Sequence, residues 1–483
     1  MKKSILLLAM VPFAFTSCLE DEGNYDYTEL QTVEISGLAE SMRCVLQQPQ
    51  NITPSVATQI SADRLEYIWR IGADTLGTEK DLKYTFTDVP INKDPLTFEV
   101  RDKQTNVRYS KTIDLTVVSP FTTGYAILTD AGKLAFQSFE SGNPLYQDVC
   151  EAVKGEPLSG KPLSVKQLRY QDGNTGAWFD RISVLMQGGK SPEFDGVSMK
   201  RTKWYDDEFH TASVPSFAAI TAQYFNTDKA LDIITTDGQV FIKRIGSMGS
   251  PDDGYYEYPL QSEGGYKIAP CVTRLTSNDA AYVGLDEQNH RFVLWMGNNL
   301  SANLRHVAAN DAQFSTIPGT LVWMGNPMYS YTGYAIVKNE GKYYLYVLTT
   351  DWQLSPTVKM AQLPDGAVND NCVFAANITM QNYDVVSNYL FIGDGPKLKA
   401  INLLSLDNMN DAVIDVATFD GDITDMHFDR DVNVLPEAEF SIAVSRSTGS
   451  SIYQLDPTII NHGAIIKKYD GINGRIVSFC RKI

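Results

Sequence analysis

Thr123-Gly124-Tyr125-Ala126-Ile127-Leu128 recurs almost unchanged as Thr332-Gly333-Tyr334-Ala335-Ile336-Val337. Both copies open the same unit, in which an apolar strand, a short polar turn and a second apolar strand follow one another. The unit occurs seven times, at Gly124–Phe139, Arg181–Met199, Ala230–Ile245, Ala280–Met296, Gly333–Leu348, Tyr389–Leu404 and Phe440–Leu455. Successive units begin at residues 124, 181, 230, 280, 333, 389 and 440, and are therefore 49 to 57 residues apart.

These units predict β-hairpins repeated around a ring. Two of the turns are Asp237-Gly238 and Asp394-Gly395, and Asp-Gly between apolar strands is among the strongest hairpin signals. Repeats of about 50 residues are typical of β-propellers, whose blades are four-stranded sheets. We therefore expect an all-β chain with a β-propeller over residues 121–483, seven-bladed by the count of units. Six blades, eight blades or two β-sandwiches are the alternatives. The last strand, Arg475–Cys480, is expected to close the ring by joining the first blade.

Residues 31–120 predict a separate, smaller domain. Short strands that alternate polar and apolar residues, with turn signals between them, are typical of a β-sandwich. The candidate strands are Thr32–Ile35, Tyr67–Ile71, Lys83–Thr87, Leu96–Arg101 and Lys111–Val118. Trp69 lies in the middle of its strand, like the core Trp of immunoglobulin-like sandwiches, and we expect it to be buried.

Residues 1–17 have the composition of a secretory signal peptide. Two lysines are followed by the apolar run Ser4–Phe15, which is too short for a stable membrane span. The run ends at Thr16-Ser17-Cys18, and small residues before a cysteine resemble a bacterial lipobox. We therefore expect Cys18 to be acylated and residues 18–30, with the acidic cluster Glu20-Asp21-Glu22, to form a tether.

The charge and the metal-ligand content of the chain exclude several kinds of partner. Lys and Arg number 41 and Asp and Glu 58, giving a net charge of −17, so the chain repels nucleic-acid phosphates. The five His and six Cys show no metal-ligand spacing, and no cofactor or metal is expected. One segment, Asp429, Asp431 and Asn433, alternates oxygen ligands as a calcium loop does, but it lacks the glycine and distal glutamate of an EF-hand. A solvated acidic loop is the alternative there.

Polar segments between the predicted hairpins contain many aromatic residues. Aromatic faces beside hydrogen-bonding side chains suit sugar rings, and they suit peptides equally well. The candidate ligand-binding residues are Trp204, Tyr205, Tyr255, Tyr256, Trp323, Tyr329, Tyr331 and Trp352. Packing between blades is the alternative for each of them. Trp295, inside an apolar strand, is expected in the core.

Three segments resemble the PKD-like lipoproteins of Bacteroidetes. They are Cys18–Tyr27, Tyr67–Trp69 and Phe98–Asp102. The resemblance implies a lipid-anchored protein of the outer membrane that faces the extracellular side. It also implies a Sus-type importer as partner, meaning a TonB-dependent barrel with its lipoprotein lid, which takes up oligosaccharides or oligopeptides.

The favoured function is therefore nutrient binding or presentation without catalysis. The sequence contains no G-x-S-x-G, H-E-x-x-H or G-x-G-x-x-G motif, so an enzyme is not favoured. Two alternatives stay open. One is a propeller glycoside hydrolase or lyase, which would need two carboxylates at a set separation. The other is a purely structural subunit of the importer.

Overall fold

The computed structural model describes most of the chain, in segments. These are residues 31–89, 94–140, 142, 144–171, 178–209, 214–223, 229–245, 255–256, 258–275, 282–295, 305–306, 314–326, 332–349, 357–381, 384–405, 413–429, 439–456 and 463–482. The described residues form two compact units, which are treated separately below. Within them the only α-helix is the single turn α1, Val149–Ala152. Short 3-10 turns lie at Ala62–Arg64, Tyr205–Glu208 and Leu403–Ser405. No described helix is both long and apolar enough to cross a membrane.

Nine strands lie between residues 33 and 118. They are β1 Val33–Ser36, β2 Ser41–Val45, β3 Pro49–Ile52, β4 Ser55–Thr58, β5 Leu65–Ile71, β6 Asp74–Gly77, β7 Leu82–Thr85, β8 Leu96–Asp102 and β9 Arg108–Val118. A five-stranded sheet has the order β2-β9-β8-β5-β6, and β1-β4 and β3-β7 form two-stranded sheets. The five predicted strands are confirmed within a few residues. The sequence did not predict β2, β3, β4 and β6, which have only four or five residues each and contain at most one buried residue.

Trp69 is the centre of the core between these sheets. Its side chain is fully buried, and its ring centroid lies 4.6 Å from that of Phe98. The indole Nε1 donates to the backbone carbonyls of Glu79 and Lys80 at 3.2 Å. The prediction of a buried tryptophan at this position is therefore confirmed, and its polar edge is satisfied by backbone.

The remaining strands form seven antiparallel sheets in the described residues, numbered here from 1 to 7. Sheet 1 contains β10 Gly124–Thr129, β11 Leu134–Ser138 and β12 Leu145–Tyr146. Sheet 2 contains β13 Lys161–Gln171, β14 Trp178–Gln187, β15 Pro192–Asp195 and β16 Arg201–Trp204. Sheet 3 contains β17 Phe217–Gln223, β18 Lys229–Thr235 and β19 Val240–Ile245. Sheet 4 contains β20 Ile268–Arg274, β21 Tyr282–Asp286, β22 Arg291–Trp295 and β23 Arg305–His306. Sheet 5 contains β24 Thr320–Gly325, β25 Thr332–Asn339, β26 Lys342–Thr349 and β27 Thr357–Gln362. Sheet 6 contains β28 Val373–Gln381, β29 Asp384–Asp394, β30 Lys397–Asn402 and β31 Val413–Thr418. Sheet 7 contains β32 Asp422–Asp429, β33 Glu439–Arg446, β34 Gly449–Leu455 and β35 Ile465–Ile472.

The last strand, β36 (Ile476–Lys482), completes sheet 1. It pairs antiparallel with β10, so sheet 1 has the order β36-β10-β11-β12 and joins the end of the chain to its earlier part. The first strands of the sheets, β36, β13, β17, β20, β24, β28 and β32, contact one another in that order, and β32 contacts β36 again. This closed cycle is the arrangement of a β-propeller. The predicted fold class and the predicted closure by the last strand are thus confirmed. Seven sheets correspond to the seven sequence units, and the blade number itself stays a prediction.

In six of the described sheets the predicted hairpin is the middle pair of strands, and in the three-stranded sheet 3 it is β18 and β19. The reason is burial on both faces. Seven apolar clusters lie between neighbouring sheets around the ring, including one between sheet 7 and sheet 1. Trp295 is 1% exposed in the cluster between sheets 3 and 4, which confirms its predicted place in the core. The outermost strands are shorter or more polar, because they face solvent on one edge.

Candidate functional site

A cavity of about 390 Å³ opens between the first strands of sheets 5, 6 and 7. Its lining combines aromatic with hydrogen-bonding side chains. Trp323 comes from β24, Phe374 from β28, and Asp425, His427 and Phe428 from β32. Because the first strands surround the ring axis, three sheets each contribute part of one site. Trp323 is the sequence-predicted candidate that the structure places here.

Trp323 is held flat by its own strand. The side chain is half-buried, and its ring centroid lies 5.6 Å from that of Phe374. Gly325 is two residues further along β24 and therefore on the same face. A Cβ on Gly325 would overlap the six-membered ring of Trp323. The indole thus lies across the backbone of Gly325, and a glycine is needed there for this close approach.

Asp425 and His427 form a hydrogen-bonded pair in the lining of the same cavity. They alternate along β32, and His427 Nε2 lies 2.9 Å from Asp425 Oδ2. The same carboxylate oxygen accepts the backbone N–H of Phe479 at 3.0 Å, and the imidazole packs edge-on to the Phe479 ring at 4.9 Å. Since Phe479 belongs to β36, the closing strand fixes both members of the pair.

The lining is neutral to acidic. The ionisable groups that line the cavity are Asp425, His427 and Cys372, and burial raises the pKa of the Cys372 thiol, so this cysteine stays protonated. No lysine or arginine lines the cavity. A ring that can stack beside an acceptor and an imidazole suits a sugar or a peptide better than an anion.

Two predicted ligand-binding residues, Tyr205 and Tyr256, are core residues instead. Both are fully buried in the apolar cluster between sheets 2 and 3. The hydroxyl of Tyr205 donates to Glu193 Oε2 at 3.1 Å, and burial raises the pKa of Tyr205 well above its usual value. The Tyr256 ring stacks on Phe209 with centroids 4.7 Å apart. A ligand at the surface cannot reach either ring, so the prediction was wrong for these two residues.

The acidic segment around Tyr205 has a structural role. Glu208, which is 8% exposed, forms ion pairs with Lys243 and with Lys203, the latter at 3.0 Å. Lys243 is itself 1% exposed. Buried charges of this kind persist only when they are paired, so the segment ties sheet 2 to sheet 3 rather than facing a ligand.

Trp204 and Tyr255 lie away from the cavity. Trp204 is half-buried on β16 of sheet 2, with the Arg201 guanidinium 4.2 Å from its ring centroid. Tyr255 is 45% exposed. Neither lines the Trp323 cavity, and their binding role stays a prediction.

The other predicted residues lie outside the described residues. These are Cys18, Tyr329, Tyr331, Trp352, Asp431 and Asn433. Asp429 is described only as the last residue of β32. In the described part of the chain, no group of three or more His, Cys, Asp or Glu side chains is arranged to hold a metal ion.

Sequence reasoning missed Asp425 and His427. It treated the histidines as scattered, because His427 has no partner at metal-ligand spacing. The available signal was the Asp-x-His alternation, which places both side chains on one face of a strand. That alternation becomes informative only when the strand is known to be the first of its sheet and to border the ring axis.

Comparison with known proteins supports the PKD-like part of the resemblance. Residues 18–162 match the sequence model of the PKD-like family, which is less than a third of the chain. No curated protein sequence matches the chain.

Among solved structures, a quinonprotein alcohol dehydrogenase-like protein from Bacteroides thetaiotaomicron is similar at 13% identity, with 92% of this chain and 97% of that chain covered and a TM-score of 0.47. A putative 6-phosphogluconolactonase from Bacteroides uniformis is 11% identical, with 74% and 99% covered and a TM-score of 0.44. A periplasmic gluconolactonase from Pseudomonas aeruginosa is 10% identical, with 75% and 99% covered and a TM-score of 0.41. Likenesses this distant carry no argument about activity.

Proposed function

We propose that this protein is a lipid-anchored protein of the outer-membrane surface that binds an oligosaccharide or oligopeptide and presents it to a Sus-type TonB-dependent importer. The observation that carries the binding role is the cavity whose lining combines Trp323 with the Asp425–His427 pair. An aromatic face gives a ligand contact area, and the polar pair gives it orientation. The cavity needs no metal or cofactor for this role.

The proposed importer partner and membrane anchor rest on the N-terminal part of the chain. Support comes from the lipobox at Cys18, the acidic tether that follows it and the match of residues 18–162 to the PKD-like family. A detergent pull-down of tagged protein from the native outer membrane tests the partnership. A barrel and a lipoprotein lid are expected to co-purify. Recovery of the protein alone would remove the importer from the proposal.

Calorimetric titration tests the binding role. The ligands are cellotetraose, maltotetraose, xylotetraose and tetraalanine, each added to the wild type, to Trp323→Ala and to Trp204→Ala. Loss of the stacking face in Trp323→Ala is expected to weaken binding about tenfold, and Trp204→Ala tests whether the predicted aromatic residue of sheet 2 contributes as well. Equal affinities of all three proteins would place the ligand elsewhere, and weakening only in Trp204→Ala would move the site to sheet 2.

The Asp425–His427 pair favours one second candidate, a propeller lyase that acts on a polysaccharide, since a glycoside hydrolase would need a second carboxylate and the described lining supplies only Asp425. A carboxylate that orients an imidazole is a common arrangement for general acid–base catalysis. This candidate predicts that the wild type releases new sugar ends from a polysaccharide and that His427→Ala abolishes the release while still binding the substrate. A wild type that binds tetrasaccharides without any turnover would exclude it.

A further inference from the structure

A second cavity, of about 690 Å³, lies where sheet 7 meets the closing strand. Three loops form its walls: residues 420–422 before β32, residues 447–448 between β33 and β34, and residues 473–475 before β36. Asp130, in the turn between β10 and β11, completes the lining. We call this cavity the seam groove. It shares no lining residue with the Trp323 cavity.

The floor of the seam groove is fixed by close backbone contacts. A Cβ on Gly421 would lie 2.6 Å from both Cγ of Arg446 and the carbonyl oxygen of Ser445. The backbone N–H of Arg475 donates to Asp130 Oδ1 at 2.9 Å, and Ser450 Oγ donates to the Gly474 carbonyl at 2.6 Å. The loops are therefore held in place before any ligand arrives, which lowers the entropy cost of binding.

One charged pair in the groove is held by several hydrogen bonds, although the Asp420 side chain is 56% exposed. Arg446 Nη1 donates to Asp420 Oδ1 at 2.7 Å, and the hydroxyl of Tyr453 donates to the same oxygen at 3.1 Å. Burial acts to raise the pKa of Asp420, but the hydrogen bonds from Tyr453 and Arg446 outweigh it and hold the pKa below its usual value. Both side chains therefore stay charged and neutralise each other.

A second charged pair at the groove is held loosely. Arg475 Nη1 lies 3.5 Å from Asp422 Oδ2, and the two side chains are 51% and 56% exposed. An ion pair this exposed contributes little to stability, so both groups can turn toward a ligand at small cost. They present a donor next to an acceptor, with the hydroxyl-bearing Ser447 and Thr448 in the same lining.

This combination selects the chemistry of the ligand. A sugar hydroxyl donates one hydrogen bond and accepts others, so neighbouring hydroxyls can engage a carboxylate and a guanidinium together. Anions are disfavoured, because the lining carries three carboxylates, Asp130, Asp420 and Asp422, against two guanidiniums. The described residues contribute no aromatic side chain to the lining, so rings are held by their edges rather than stacked. We infer that the seam groove is a second binding site, which takes the hydroxyl-bearing edge of a neutral sugar independently of the Trp323 cavity.

Ligand-observed saturation-transfer NMR tests this site with cellobiose, maltose and xylobiose as neutral probes and digalacturonate as the anionic probe. The proteins are the wild type, Trp323→Ala, and the double variant Asp422→Ala/Arg475→Ala made in the Trp323→Ala background, so that a sugar in the Trp323 cavity does not mask the loss. A neutral probe is expected to give a signal with the wild type and with Trp323→Ala. Its affinity should fall about tenfold or more in the double variant, which loses two charged hydrogen-bond partners.

Lys267→Ala is the matched control. It removes an ion pair with Glu287 at 3.2 Å, next to β20 and β21, in which Lys267 is 51% and Glu287 24% exposed, and it should change neither affinity nor thermal midpoint. The double variant should also keep the thermal midpoint of Trp323→Ala, because the Asp422–Arg475 pair is exposed. Three results would each overturn the inference: no neutral probe binds the wild type, the double variant binds as well as Trp323→Ala, or digalacturonate binds more tightly than the neutral probes. Loss of the whole signal in Trp323→Ala would assign the sugar to the other cavity instead.

Discussion

Gly325 controls the orientation of the Trp323 indole. Because a Cβ there would overlap the indole, Gly325→Ala is expected to push the ring out of its flat position and to weaken ligand binding about as much as Trp323→Ala does. Calorimetric titration measures the affinity, and tryptophan fluorescence reports the displaced ring. Gly155→Ala is the control, since its new Cβ would meet the nearest atom at 3.5 Å, an ordinary contact. Unchanged affinity in Gly325→Ala would show that the orientation of the indole does not matter.

Asp102 makes the stability of the N-terminal strands depend on pH. Hydrogen bonds from Arg64, at 2.6 Å and 3.2 Å, outweigh burial, and with the Gln104 N–H and the Thr105 hydroxyl they hold its pKa at about 2 instead of 3.8. A carboxyl group whose pKa is lower in the folded chain than in the unfolded chain stabilises the fold at pH values above the unfolded pKa of 3.8. This stabilisation is lost as the pH falls toward the folded pKa of about 2. The free energy of unfolding should therefore drop between pH 4 and pH 2, and less so in Asp102→Asn. Chemical denaturation across this range measures both slopes, and parallel slopes would contradict the assignment.

At the scale of elements, β36 is the strand whose loss should matter most. It supplies the first strand of sheet 1, it contacts both β13 and β32, and its Phe479 is fully buried. Deleting residues 476–483 exposes the edge of β10 and opens the apolar cluster between sheets 7 and 1. We expect the propeller to lose its cooperative thermal transition.

A point variant tests the packing of β36 while keeping the strand itself. Phe479→Ala keeps β36 but creates a cavity, and it should cost about 3–5 kcal/mol of unfolding free energy. Ile465→Ser, on the outer strand β35 and 57% exposed, should cost little. A truncated chain that melts as cooperatively as the full chain would mean that the ring closes without its last strand.

The same elements explain how much of the fold could be predicted from the sequence. The middle hairpins were found because both of their faces are buried, which makes strands such as β10 continuously apolar and marks their turns. The outer strand β12 has only two residues and carries no such pattern. The Trp323 cavity was harder to predict from the sequence than the outer strands. It is assembled from β24, β28 and β32, which are far apart in sequence, and a loop aromatic such as Tyr205 cannot be told from a core residue until the neighbouring sheet is known.

At the scale of the whole molecule, the proposal depends on the lipid at Cys18. Several acyl chains on one cysteine would hold a protein on a membrane, and no described helix is suited to span one. Cys18→Ala is therefore expected to move the protein from the membrane fraction to the soluble fraction of fractionated cells. Cys480→Ala, a half-buried cysteine of β36, is the control and should stay in the membrane fraction.

The Cys18→Ala variant also shows whether binding to the importer depends on the lipid anchor. If the importer holds the protein through a protein surface, Cys18→Ala should still co-purify with the barrel when detergent extracts are mixed, although it no longer sediments with membranes. If the lipid alone brings the two together, co-purification should disappear with the anchor. Protease added to intact cells should degrade the wild type, since the proposal places both cavities on the extracellular side. Full protection from protease would put the protein on the inner face of the outer membrane, where it could not present a nutrient to an importer.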